Sequence, residues 1–373
     1  MFHIEKLFAQ IGKQAWADTR SRPLHQLWEE RPMKTLYATI LAAAVAMPAA
    51  VHAQDLTTVT MIKPLPRSTL IYPLIAGEAL GYFEEEGIEV QLLPSDTSIP
   101  YVAFLQNGQA DIAMLDPSET MSAVIADAGI STIYEANQRA PEGIAVSGES
   151  EVQSVADLAG TTVGLVTDRD RAFLAQALEV VGLSIDDVDT VVVGDSGPTL
   201  AVALRDQTVS AVSGASSDWG AIEANGIPVR LITPEELVAN PANSLAINAE
   251  RADELRPVLE GFLRAWSKGA HVGAVDVDVL AEISRQAVPE EWEDEEFGQN
   301  FLAVALDITL PLTELYGDLQ VDAWQAIQPR MMSVGALEQM VEVDSFLDRS
   351  FIEAANDFSK EEVAEEVAAW AAE

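Results

Sequence analysis

Apolar runs of four to six residues alternate with longer helical-period stretches between residue 57 and about residue 232 of this chain. Val59–Lys63, Ile88–Leu92, Asp111–Leu115, Ile130–Glu135 and Gly143–Val146 read as strands. Between them Leu70–Leu80, Ile99–Gln106 and Ser118–Ala128 read as helices, stopped by Gly81, Asn107-Gly108 and Gly129. Glycine and asparagine tolerate the left-handed conformation at a helix end, so each stop has a physical cause. After the polar stretch Ser147–Ser154 the pattern restarts. Strands are predicted at Thr162–Val166, Val188–Val193, Val209–Ser213 and Val229–Ile232, with helices at Arg171–Val181, Pro198–Arg205 and Trp219–Ala224. Beyond Arg251 the chain reads almost entirely helical, with short pieces at 311–315 and 336–339 among longer ones. Strand–helix alternation of this kind predicts an α/β fold with mostly parallel sheets covered by helices, followed by a helical C-terminal region.

The first 53 residues stand apart from this pattern. Leu36–Val51 carries no charge, Lys34 precedes it, and Val51-His52-Ala53 places small residues around a cut before Gln54. A basic start, a short apolar core and such a site define a cleavable secretory signal at residues 33–53. The apolar stretch is short for a spanning helix, which needs about 20 apolar residues. An uncleaved anchor is the alternative. Residues 1–32 are too long for a signal's basic start and are expected to be an upstream extension. The absence of any cysteine excludes lipid attachment, disulfides, zinc ribbons and a thiol nucleophile.

Four segments carry a resemblance. They are Ala76–Val90 (AGEALGYFEEEGIEV), Leu105–Ala113 (LQNGQADIA), Asp157–Gly164 (DLAGTTVG) and Leu178–Leu183 (LEVVGL). In this order and spacing they resemble the nitrate/sulfonate/taurine group of periplasmic substrate-binding proteins of ABC importers, the NMT1/THI5-like (SsuA/TauA) family. The resemblance implies a two-lobed periplasmic-binding-protein fold (type II-like) that closes on a small solute and docks on an ABC permease in the inner membrane. It implies lobe one at 54–146, lobe two at 147–245 and a return to lobe one at 246–373, with crossovers near Val146–Val152 and Pro241–Ile247. A monomer located in the periplasm is expected. The segments themselves read as structural: Tyr82 and Phe83 as packing residues, Asp111 as a tie to backbone N–H groups.

Candidate ligand residues follow from a general rule. In open α/β sheets, ligands sit beyond the carboxyl ends of the strands, near helix N-termini. The rule selects Arg67, Ser68 and Thr69; Thr97 and Ser98; Asp116 and Ser118; and Asn137 and Gln138 in the first lobe. In the second it selects Thr167, Arg169, Ser217, Asp218 and Trp219. Arg67 offers a planar fork for a sulfonate or carboxylate, or else pairs with a surface acid. Thr97 and Ser98 are also ordinary N-caps. Asp116 caps a helix or meets a ligand amine, and Asp218-Trp219 suits an ammonium or a flat ring unless Trp219 is core. The run Asp168-Arg169-Asp170-Arg171 fits a zwitterion or polar heterocycle better than a simple oxyanion, and fits pairing along a helix start better still. A sulfonate or taurine-like zwitterion is the first expectation for the ligand, and a pyrimidine or thiamine-precursor-like heterocycle the second. A sensor without a transport role remains a third reading.

Catalysis has little to work with. Eukaryotic relatives of the fold make a thiamine pyrimidine precursor, but the cysteine-rich motif tied to that activity cannot exist here. Past residue 53 the one histidine is His271, so neither a Ser–His–Asp set nor a histidine-rich metal site can form. No calcium-loop pattern is present, and no cofactor, metal or catalytic residue is expected. Charge adds a final constraint. Residues 54–373 hold 15 Lys+Arg against 56 Asp+Glu, a net −41, with lysine only at Lys63, Lys268 and Lys360. Such a polyanion is a poor partner for nucleic acid. Acid-rich, lysine-poor surfaces suit halophilic or marine surroundings, where salt screens self-repulsion. Against that background the few basic residues carry more information than the many acidic ones.

Overall fold

A computed structural model describes residues 56–63, 67–94, 100–238 and 240–372; the leader with its cut before Gln54, and Thr97 and Ser98, lie outside the described residues. Ten strands form: β1 (Thr57–Ile62), β2 (Ile88–Leu92), β3 (Ile112–Leu115), β4 (Ile130–Glu135), β5 (Glu142–Ser147), β6 (Thr162–Leu165), β7 (Asp189–Val192), β8 (Ala211–Ala215), β9 (Val229–Leu231) and β10 (Ser244–Asn248). They make two five-stranded sheets, ordered β2-β1-β3-β10-β4 and β7-β6-β8-β5-β9. Each sheet is the floor of one lobe, and the chain crosses between lobes at 136–141 and again at 232–243.

Both sheets are mixed rather than mostly parallel. β10, returning from the second lobe, inserts antiparallel between β3 and β4. β5, arriving from the first lobe, inserts antiparallel between β8 and β9. The remaining pairings, β1 with β2 and β3 and β6 with β7 and β8, are parallel. Each lobe therefore contains one strand that belongs to a crossover, and this strand reverses direction. The same feature moves the first crossover earlier than 146–152. Gly143–Val146 is apolar enough for either sheet, but it pairs in the second one. Ser244 and Leu245, expected in lobe two, are already paired in the first sheet.

Helices α1 (Tyr72–Ala79), α2 (Tyr82–Glu85), α3 (Tyr101–Gln106) and α4 (Pro117–Ile125) belong to the first lobe. Helices α5 (Asp170–Val180), α6 (Gly197–Arg205) and α7 (Ser216–Glu223) cover the second sheet, and α8 (Glu235–Val238) lies on the second crossover. Gly81 and Gly87, at φ 78° and 71°, let the chain leave α1, make one turn of α2 and enter β2. α4 begins with a reciprocal cap: Asp116 accepts from the Glu119 N–H at 2.7 Å and Glu119 from the Asp116 N–H at 3.2 Å.

The C-terminal region supplies α9 (Ala252–Val275), α10 (Val277–Ala287), α11 (Glu295–Thr309), α12 (Val321–Ser333), α13 (Ile352–Ala355) and α14 (Lys360–Trp370). The pieces expected at 311–315 and 336–339 are loops, being too short to repay helix nucleation. Leu259, Phe262, Leu263, Trp266 and Ala270 of α9 join Tyr72, Leu74 and Ile75 of α1 and Met61 of β1 in one core, which also takes in Trp324, Phe346 and Phe351. The second sheet is packed on both faces, with Phe173, Leu174 and Leu178 on one side and Leu200, Leu204, Trp219 and Ile222 on the other. No helix among the described residues is long and apolar enough to cross a membrane.

Candidate functional site

Two cavities lie where the carboxyl ends of β1 and β3 face those of β6 and β8. The inner one, of about 170 Å³, is walled by Leu70, Ile71 and Met114 of the first lobe and by Val304 and Ile308 of α11. Ser68, Asn137, Asn243, Ser216 and Ser217 add hydrogen-bonding groups, and Lys63 adds an amine. The Ser216 N–H donates to the Pro141 carbonyl at 2.8 Å, while its buried hydroxyl has no partner among the described residues. That hydroxyl is a hydrogen-bonding group held ready on an apolar wall.

Lys63 stands directly after β1 and is 3 % exposed. Burial pushes its amine down to about 8, against the pull of Glu291, and Arg67 adds to the lowering. Glu291 itself accepts the Thr69 N–H at 2.9 Å, which fixes the loop between β1 and α1.

The outer cavity, of about 600 Å³, is wider and acid-lined. Asp116, Ser118 and Glu119 come from the start of α4, Glu142 from β5, and Thr167, Arg169 and Asp170 from the turn after β6. Glu142 stays accessible from the cleft, yet desolvation between the lobes pushes it up to about 7, with Asp116 and Asp170 adding repulsion. Asp116, Glu119 and Asp170 are likewise raised, chiefly by desolvation, although N–H donors and Arg169 pull each of them back. Asp218, on the first turn of α7, is pushed up to about 6 by burial, with Asp170 and Asp195 adding to it; it accepts the Ala215 N–H at 2.7 Å.

The expected residues separate into three groups. Ser68, Asn137 and Ser217 line the inner cavity. Asp116, Ser118, Thr167 and Arg169 line the outer one. The others point elsewhere. Arg67 pairs with Glu78 of α1 and lines neither cavity. Thr69 is fully buried, and Gln138 turns inward to donate to the Glu135 and Asp318 carbonyls at 3.3 and 3.2 Å. Asp218 serves its own helix, and Trp219 belongs to the core, its ring against Gly143 and Gly214. Sequence reasoning missed Lys63, Met114, Asn243, Val304 and Ile308. Lys63 carried a signal, as one of three lysines past residue 53 and the last residue of a predicted strand.

Two α/β lobes joined by two crossovers, with cavities at the junction, define the fold class of periplasmic binding proteins. The chain belongs to the NMT1/THI5-like family, whose model matches residues 68–274. It is 24 % identical over 325 residues to the riboflavin-binding protein RibY of Chloroflexus aurantiacus, an alignment covering 84 % of this chain and 91 % of RibY. The fold is shared with the periplasmic aliphatic sulphonate binding protein SsuA from Escherichia coli, at TM-score 0.61 and 15 % identity, covering 78 % of this chain and 92 % of SsuA. The desulfurization enzyme DSZB also shares it, at TM-score 0.56 and 18 % identity, covering 80 % of this chain and 98 % of DSZB.

Proposed function

We propose that this protein is a periplasmic solute-binding protein, exported through a signal cut near Gln54, whose lobes close on a small planar heterocycle and deliver it to an ABC permease. The inner cavity carries the reading. Its apolar walls suit the faces of a ring, while Ser216, Asn137 and Asn243 suit ring carbonyl and N–H groups at the edge. Among the described residues no arginine lines it, and the Arg67 guanidinium is already engaged by Glu78. The acids around the outer cavity repel an approaching anion. The relative RibY is a riboflavin-binding protein, and a flavin belongs to this ligand class, being a planar heterocycle rich in carbonyl and N–H groups.

A sulfonate or taurine-like ligand, the first expectation from the sequence, becomes the second reading here, and Lys63 is the observation that favours it. A binding role in place of catalysis is supported by the position of His271, which is held by Tyr316 at 2.8 Å among the C-terminal helices and lines neither cavity. A thermal-shift panel of riboflavin, uracil and ethanesulfonate tests the proposal. A heterocycle at a hundred times its Kd should add about 2.7 kcal/mol to stability. A shift by ethanesulfonate alone would overturn the heterocycle in favour of the second reading.

A further inference from the structure

The outer cavity has an excess of acceptors. Four carboxylates, from Asp116, Glu119, Glu142 and Asp170, line it together with a single guanidinium, Arg169. A fifth acceptor is independent of them. Gln176 of α5 lines the same cavity at 8 % exposure, and its buried Oε1 accepts no hydrogen bond among the described residues. Its Nε2 reaches only the Ala172 carbonyl, at 3.5 Å. A buried amide oxygen without a donor costs about 1–3 kcal/mol, so such a group marks a place where a donor is missing. Among the described residues no three acids or histidines converge closely enough to hold a metal ion. A donor carried by a ligand in this cavity would meet that oxygen.

Resting on the reading of the cleft as the ligand site, we propose that the outer cavity binds an N–H-bearing organic cation, a primary ammonium or amidinium carried as an arm on the ligand's ring. Such a group donates to Gln176 Oε1 and to the carboxylates at once. It also relieves their mutual repulsion, which a neutral hydroxyl arm cannot do. Glu142 is the best-placed partner, because among the described residues the one hydrogen bond its carboxylate receives comes from its own backbone N–H. Phe173 offers an aromatic wall beside the charge. The charged groups acting on Glu142 are Asp116 and Asp170, and Arg169 acts in turn on those two and on Glu119. A bound cation lowers the proton affinity of this set, so its arrival should release protons.

Calorimetric titration with aminomethyl-uracil, hydroxymethyl-uracil and diaminobutane tests the proposal. Aminomethyl-uracil should bind roughly tenfold to hundredfold tighter than hydroxymethyl-uracil, the range expected for a charge-assisted hydrogen bond. In slightly acidic buffers of different ionisation heat, only the amine should release protons. The affinity ratio should fall toward one in Glu142→Gln and, separately, in Gln176→Leu, whose retained folding is checked by thermal unfolding. Equal binding of the two uracils would overturn the cation subsite while leaving the ring site standing. Binding of diaminobutane without either uracil would uphold the cation subsite and overturn the ring site. Failure of all three to bind would overturn both.

Discussion

Gly269→Ala should destabilise the protein by about 3 kcal/mol or more, although alanine is the better helix former by about 1 kcal/mol. Gly269 lies where α9 crosses α1, and a Cβ there would fall on the Pro73 carbonyl oxygen, well inside van der Waals contact. It would also stand 2.9 Å from the Pro73 carbonyl carbon and 3.0 Å from the Gly77 nitrogen. These are backbone atoms, so no rotamer change can make room and the two helices must separate. Separation would loosen Phe262 and Trp266 from Phe83 and Ile75, all nearly solvent-free. It would also disturb the floor beneath Leu70 and Ile71, through which the C-terminal helices bear on the inner cavity. Urea unfolding checks the loss. A cost below 1 kcal/mol would show that the crossing can relax.

Glu135→Leu should cost about 3 kcal/mol near pH 5, and less near pH 7. Glu135 closes β4 and is 1 % exposed. Its carboxylate accepts the Gln320 N–H at 2.8 Å, the Gln320 Nε2 at 2.7 Å and the Trp324 Nε1 at 2.7 Å, which binds α12 to the first sheet. Leucine would leave these donors stranded in a site too buried for water. The pH dependence follows from the charge. Burial pushes Glu135 up to about 7 despite its three donors, with Asp318 adding to the rise. A carboxyl raised in the folded state contributes stability that is full below its unfolded value, near 4.5, and lost as pH rises through about 7. The wild-type protein loses that share on going to neutral pH, whereas the leucine variant has none to lose. The gap between them should therefore narrow as pH rises; a gap that widens would contradict the assignment.

Nine of the ten strands among the described residues and most helices were legible because local chemistry decides them, through apolar runs of strand length and glycines at helix ends; β10 was not, its residues reading as part of the crossover Pro241–Ile247. Which sheet a strand joins was not. Gly143–Val146 and Leu245–Ile247 are similar apolar runs, and their antiparallel insertion depends on contacts with strands distant in sequence. The rule that ligands lie beyond strand ends led to loops that line the two cavities, with Ser68, Asn137, Ser217, Asp116 and Arg169 among the lining residues. It could not find Asn243, Val304 and Ile308, which a crossover and a C-terminal helix bring back to the first lobe. Arg67 was chosen for its chemistry, but Glu78 of α1 pairs with it.

The abundance of acid is now partly local. Most carboxylates are solvated surface, but those of the outer cavity share one cleft, where desolvation raises the proton affinity of Asp116 and Glu142. The central claim is that the inner cavity takes a neutral ring. Calorimetric titration of the purified protein with uracil and with ethanesulfonate, repeated on Ser216→Val, tests it most directly. Uracil should bind the wild type and lose roughly tenfold in affinity in the variant, as one hydrogen bond would account for. Binding of ethanesulfonate alone, or uracil binding indifferent to Ser216→Val, would contradict it.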